Sequence, residues 1–209
     1  MATLIDYFSR GGTMMWLLLI LAIIGLAFII ERLISLFGKL RGNPREIMED
    51  VIKKIEAQGI DAALAYLKKE KNPVAKILEA GLEKVDKGRI VVEEAMTMKA
   101  TAEFAFLDRG MIYLQAVATL APIVGFLGTV TGMIRAFTAI AAAGEVEPTI
   151  VASGISEALI TTATGLLIAA PVALFYAIFA DRVNNFTRGM EETSNAFIEY
   201  LVETGVVER

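Results

Sequence analysis

The 209-residue chain contains neither cysteine nor histidine. That excludes a disulfide scaffold, a Cys/His metal site, a thiol nucleophile and an imidazole base. Charge is also scarce. Only 21% of the residues are charged, and the net charge is −4. No excess of basic residues is present to hold a nucleic acid. What fills the chain instead is apolar: 56% of it belongs to the hydrophobic set, against about 45–50% in an ordinary soluble domain. The mean hydropathy is +0.59. These figures leave a membrane protein or an unusually apolar helical bundle, and uncharged segments of about 20 residues decide between the two.

Three such segments exist. Met14 to Ile30 holds 17 residues without a charge, about 26 Å of helix at 1.5 Å per residue. Thr13 and the residues up to Ile34 extend it, with Glu31 and Arg32 at its end. Gly110 to Ile134 is uncharged over 25 residues, and Arg135 interrupts it before an Ala-rich turn. Ala158 to Ala180 is uncharged over 23 residues, between Glu157 and Asp181. All three reach spanning length. The first exceeds the usual apolar core of a signal peptide, and no small-residue cleavage site follows it, so it reads as a retained anchor.

Eighteen of the 20 Lys and Arg fall on one side of these spans, counting Arg32, the stretch from Ser35 to Arg109, and Arg182, Arg188 and Arg209. The positive-inside rule then puts the N-terminus outside and the C-terminus in the cytoplasm. The expected layout is all-α: an outer amphipathic segment (1–12), a first span (13–34), a cytoplasmic helical region (35–109), a second span (110–143), a periplasmic loop (144–157), a third span (158–180) and a cytoplasmic C-terminal helix (181–209).

Within the cytoplasmic region, Asn43-Pro44 reads as an N-cap followed by Pro at the first helical position, opening a helix that Gly59 closes. A second helix is expected over 60–70, and a third from Pro73 to Asp86, closed by Lys87-Gly88. From Arg89 to Ala143 only Gly110 and Pro122 interrupt, and membrane helices tolerate both. One continuous helix is therefore expected there. The third span should also run on into the cytoplasm. Along it Val183, Phe186, Met190, Phe197 and Leu201 form a stripe that suits either packing on its own chain or a seam between subunits. At the N-terminus Leu4, Ile5, Tyr7 and Phe8 stand beside Asp6 and Arg10 before Gly11-Gly12. This suits a short helix on the outer membrane surface, or a tip without fixed structure.

Ala118, Ala121, Gly125, Gly128 and Gly132 share one helix face, and Ala158, Thr162, Gly165, Ala169 and Ala173 nearly do so on the third span. Small faces let membrane helices approach closely. Gln115, Thr119, Thr129, Thr131, Thr161, Thr162 and Thr164 are the polar residues of the spans. A threonine hydroxyl commonly bonds the carbonyl one turn back, and Thr129 and Thr162 are the two singled out against that reading. Pro122 and Pro171 each free a helical carbonyl. No Asp, Glu, Lys or His lies deep in a span, and Glu157 stands at the outer mouth of the third. A proton path normally needs a titratable group in the membrane, so an ion-conducting role requires a carboxylate from another chain. No cofactor and no metal site is expected, and nothing resembles the nucleophile–base pair of an intramembrane enzyme.

The stretches ATLAPIVGFLGTVTGMIRAF (118–137) and GISEALITTATGLLIAAPVALFYAIFADRV (154–183) closely resemble the MotA/TolQ/ExbB proton-channel family. The E-A-L-I-x-T spacing followed by Pro matches at Glu157, Thr162 and Pro171, and L-G-T-V at Leu127 to Val130. The three-span layout resembles ExbB foremost and TolQ next, more than four-span MotA, with a shorter N-terminus than some ExbB proteins have. The resemblance implies a pentameric ring in the bacterial inner membrane, with spans two and three lining a pore. That pore would hold single helices of two ExbD- or TolR-like partners, each with a membrane Asp. Ion flow would rotate the ring and act through a TonB- or TolA-like protein. It also implies that Thr129 and Thr162 face the partner Asp, that Glu157 lies at the outer mouth, and that Pro122 and Pro171 shape the helices. Thr161 stands where a proton-driven ExbB has Ala. A Thr pair is similar to sodium-driven stators, and hydroxyl oxygens suit a hard cation. Proton and sodium both stay open, as does a passive scaffold.

Overall fold

A computed structural model describes residues 4–40, 42–144 and 146–207 of the chain. The charge of Arg209 and the side chain of Leu4 lie outside the described residues. The described residues are all-helical, without a strand. The helices are α1 (Leu4–Arg10), α2 (Met14–Lys39), α3 (Pro44–Gln58), α4 (Ile60–Leu67), α5 (Pro73–Leu82), α6 (Arg89–Asp108), α7 (Met111–Ala143) and α8 (Pro148–Glu203), with a 3₁₀ turn at Val85–Lys87 before α6. Three helical stretches are long and apolar enough to cross a membrane: one within α2, one in α6–α7 and one in α8. Two compact units form: the chain up to Glu31 with Gly110–Ile178, and Arg32–Arg109 with the chain from Phe179 on.

The first unit is a packing of long apolar helices. Met15 and Leu18 of α2 meet Ala121 and Val124 of α7 and Ala169 of α8, with Phe8 of α1 against them. Farther along α2, a Cβ on Gly25 would stand 3.0 Å from Val172 and 3.2 Å from Val117, so glycine lets three helices converge there. Phe28 stacks on Tyr113 with ring centroids 4.5 Å apart. The outward surface is also apolar: Ile23, Leu26, Ile123, Phe126, Leu167 and Leu174 are all exposed. A surface of this kind is unfavourable in water and suits lipid. α1 ends as the Gly11 amide bonds the Tyr7 carbonyl, and Gly12, at φ 67°, turns the chain into α2.

The second unit packs shorter polar helices around their apolar stripes. Asn43 and Asn72 each cap a helix whose first turn holds Pro. Asn43 Oδ1 accepts from the Arg45 amide at 3.1 Å, and Asn72 Oδ1 from the Val74 amide at 2.9 Å. Gly59, at φ 84°, separates α3 from α4. α4 ends at Leu67, short of the expected Glu70, in the turns that lead to Asn72. α5 ends at Leu82, and the 3₁₀ turn occupies the rest of the stretch expected to be α-helical. Glu103 is only 8% exposed. It takes Lys76 at 3.0 Å and Lys99 at 3.5 Å, so its charge enters the interior with partners. Val183, Phe186, Met190, Phe197 and Leu201 are all buried. The C-terminal stripe thus packs on its own chain, where Gly189 meets Pro44 and Arg45 pairs with Glu192 at 3.4 Å.

Two expectations about helix continuity need correction. The stretch from Arg89 to Ala143 is two helices, interrupted at Arg109-Gly110, where Gly110 takes φ 94°. Arg32, only 2% exposed, donates to the Leu107 carbonyl at 3.0 Å. A guanidinium there satisfies an end carbonyl of α6 and opposes the negative end of its dipole. The segment 144–157, expected to be loop, is helical from Pro148. Proline suits a first helical position, and the Ile150 amide bonds the Glu147 carbonyl at 3.1 Å.

Candidate functional site

Glycines of α7 and small residues of α8 build a close seam. A Cβ on Gly125 would lie 2.9 Å from the Thr161 carbonyl oxygen, and one on Gly132 would lie 3.0 Å from the Gly154 carbonyl oxygen. A Cβ on Gly165 would come within 2.5 Å of the Ala121 carbonyl oxygen. No L side chain fits these places without moving backbone. The buried face of α7 is Ala121, Gly125, Gly128, Gly132 and Ala136, and that of α8 is Gly154, Ala158, Thr161, Gly165 and Ala169. Both are close to the small faces read from the sequence. On α8, however, the stripe passes through Thr161 rather than Thr162, and Ala173 is exposed.

The hydroxyls of the spans divide by what they bond. Thr129 Oγ1 donates to the Phe126 carbonyl at 2.7 Å, Thr131 to Gly128 at 3.1 Å, Thr119 to Gln115 at 2.9 Å and Thr164 to Ile160 at 2.7 Å. Each bond is local, one turn back on the same helix. Thr162 is different. Its hydroxyl reaches across to the Gly125 carbonyl of α7 at 3.2 Å. Thr129 follows Gly125 by four residues and so shares that side of α7. Both threonines are half-buried at the flank of the seam. Thr161 has no exposure at all. Its hydroxyl lies 2.9 Å from the Ala158 carbonyl and 3.1 Å from that of Glu157, and its side chain fills the hollow left by Gly128.

Pro122 and Pro171 lie inside α7 and α8, which continue through both. At the far end of the seam, Glu157 meets a partner that spacing alone did not suggest. Arg135 Nη1 lies 2.6 Å from Glu157 Oε1, and Arg135 Nη2 donates to Thr13 Oγ1 at 3.1 Å. The signal was the single charge in an otherwise uncharged α7, seven residues past Gly128 on the seam side. Among the described residues, no group of three or more Asp, Glu, His or Cys converges to hold a metal ion.

An all-helical chain with three span-capable helices, apolar on its outward surface and joined by a small-residue seam, is a multi-pass membrane protein. The MotA/TolQ/ExbB proton channel family matches it over residues 69–192. The chain belongs to that family, which is a channel and transport class rather than an enzyme class. A Methanothermobacter thermautotrophicus protein named as an ExbB homolog of the biopolymer transport type is 30% identical over 88% of this chain and 65% of its own length. A Synechocystis protein named ExbB-like is 34% identical over 84% of this chain and 70% of its own. The Tol-Pal system protein TolQ of Pseudomonas aeruginosa is 30% identical over 68% of this chain and 70% of its own. The chain therefore spans about two thirds of the length of these relatives.

Proposed function

We propose that this chain is the ring-forming subunit of a proton-driven stator in the bacterial inner membrane. In this reading its N-terminus is periplasmic and its C-terminus cytoplasmic. Five copies enclose two helices of an ExbD- or TolR-like partner, and the membrane Asp of that partner carries the ion. The energy released drives outer-membrane transport through a TonB-like protein. Relatives named both ExbB and TolQ keep a TolA-linked envelope role as the second reading.

One observation carries the proposal. The α7–α8 seam leaves Thr129 and Thr162 half-buried at its flank, while neither span holds a carboxylate of its own. Hydroxyls bond water or a neutralised acid, but they release no proton near neutral pH. The chain supplies polar walls, and a titratable group must come from elsewhere. Thr162 suits this role best, because its bond to Gly125 joins two helices and can be exchanged for one to an incoming acid. Thr161 serves the seam instead, since a hydroxyl without exposure offers no face to a passing cation. The coupling ion is accordingly the proton, not sodium.

Reconstitution in liposomes tests this. The chain with its one-span partner should pass protons down a gradient, and removing Na⁺ at fixed pH should leave that flux unchanged. Thr162→Val keeps the shape and should assemble normally while losing coupled flux. Brisk conduction by the chain alone would overturn the division of labour, and normal flux in Thr162→Val would remove the pore role of that hydroxyl.

A further inference from the structure

Arg135 is the one charged residue of α7, and the structure builds three segments around it. Its guanidinium holds the Glu157 carboxylate of α8 at 2.6 Å and the Thr13 hydroxyl at the start of α2 at 3.1 Å. The turn before α2 is shaped to the pair. Gly12 takes φ 67°, and a Cβ there would run into the Glu157 carboxylate and stand 3.0 Å from Arg135 Nη1. The Glu157 side chain is 16% exposed and that of Arg135 is 50% exposed. The carboxylate is thus the enclosed member and the guanidinium the accessible one. Charge-assisted bonds of this length are among the stronger ones in proteins.

A carboxylate so held is not free to take a cation and pass it on, because each passage would break the pair. A guanidinium without its carboxylate would face the mouth of the seam as a bare positive charge and lower the local cation concentration. We infer that Glu157 acts at the mouth by neutralising Arg135 and pinning the Gly12-Thr13 turn, not by relaying the ion. Both are positioning residues. This rests on the proposed function only for what passes the mouth, since the pairing itself is independent of it.

The experiment separates the two roles by charge. The chain is reconstituted with its one-span partner, and proton flux is followed with a pH-sensitive dye in potassium chloride of varied strength. Glu157→Gln leaves Arg135 uncompensated. Flux should fall about tenfold or more at low salt and recover in part near 1 M, where the Debye length shrinks from about 30 Å to about 3 Å. The double variant Arg135→Gln/Glu157→Gln removes both charges. It should stay within about threefold of the unaltered chain at either salt. A double variant as inactive as Glu157→Gln would show the carboxylate itself to be the relay and overturn the inference, as would unchanged flux in Glu157→Gln. A second measurement does not depend on conduction. Each single variant should lower the unfolding midpoint in detergent by roughly 2–4 °C, and the double variant by no more than either single. Additive losses would mean that the pair is not formed. A silent liposome assay beside a non-additive cycle would fault the proposed function and leave the pairing standing.

Discussion

Gly128 and Thr161 form a knob-and-hollow pair whose coupling can be measured. A methyl at position 128 would collide with Thr161 Oγ1, lie 2.5 Å from Thr161 Cβ and lie 2.9 Å from Cγ2. Rotating the threonine moves Oγ1 and Cγ2 but leaves Cβ in place, so Gly128→Ala must push the helices apart. Carbon atoms meet comfortably at about 3.5–4.0 Å, which sets the displacement near 1 Å. Overpacking of this sort costs about 1–3 kcal/mol. The gain from replacing a helical glycine by alanine returns about 0.8–1.0 kcal/mol, so the net loss should be about 0–2 kcal/mol. Thr161→Ala removes a hydroxyl that bonds carbonyls of its own helix. No orphaned donor remains, and a small cavity costs about 1 kcal/mol. In the double variant the new methyl no longer meets Oγ1 or Cγ2, but the Cβ of residue 161 still lies 2.5 Å away, so the relief is partial. The combined loss should fall short of the sum of the single losses by about 0.5–1 kcal/mol. Denaturation with SDS in mixed micelles, followed by circular dichroism, measures all four proteins. Strict additivity would refute the knob-and-hollow geometry. Loss of coupled flux in a stably folded Thr161→Ala would refute the assignment of Thr161 to the seam.

Two further outcomes follow from neighbouring geometry. Gly165→Ala would set its methyl 2.5 Å from the Ala121 carbonyl oxygen and 3.1 Å from the Gly125 Cα. Trimming a side chain cannot relieve backbone contacts, so the loss should reach about 3 kcal/mol or more and persist in an Ala121→Gly background. In the second unit, Glu103→Gln keeps shape but leaves Lys76 and Lys99 without their shared counter-charge. It should cost roughly 1–2 kcal/mol, seen as a lower midpoint in urea.

Much of this architecture was legible because it depends on length and local chemistry. Uncharged runs of spanning length identified the membrane helices, and Asn-Pro pairs at 43–44 and 72–73 marked two helix starts. The glycine spacing of α7 marked a close-packed face, and the L-G-T-V and E-A-L-I-x-T stretches marked the family. What escaped is tertiary. Gly110 alone does not announce a break. The distant Arg32 holds the Leu107 carbonyl at the end of α6, and no local pattern links residues 75 positions apart. Thr161 and Thr162 are adjacent in the chain but about 100° apart on a helix. A shift of one residue decides which is buried, and the small residues around them fit either choice. Arg135 and Glu157 each stand at the end of an uncharged run, yet their separation of 22 positions gives no periodic signal. The C-terminal stripe showed that it is buried, not against what.

Every hydroxyl hydrogen and every methyl in the Gly128–Thr161 hollow finds its contact within one polypeptide. Two helices so matched can join as soon as both have entered the bilayer, without waiting for another gene product. Biogenesis then has a natural order: the chain closes its own hairpin before it meets any other.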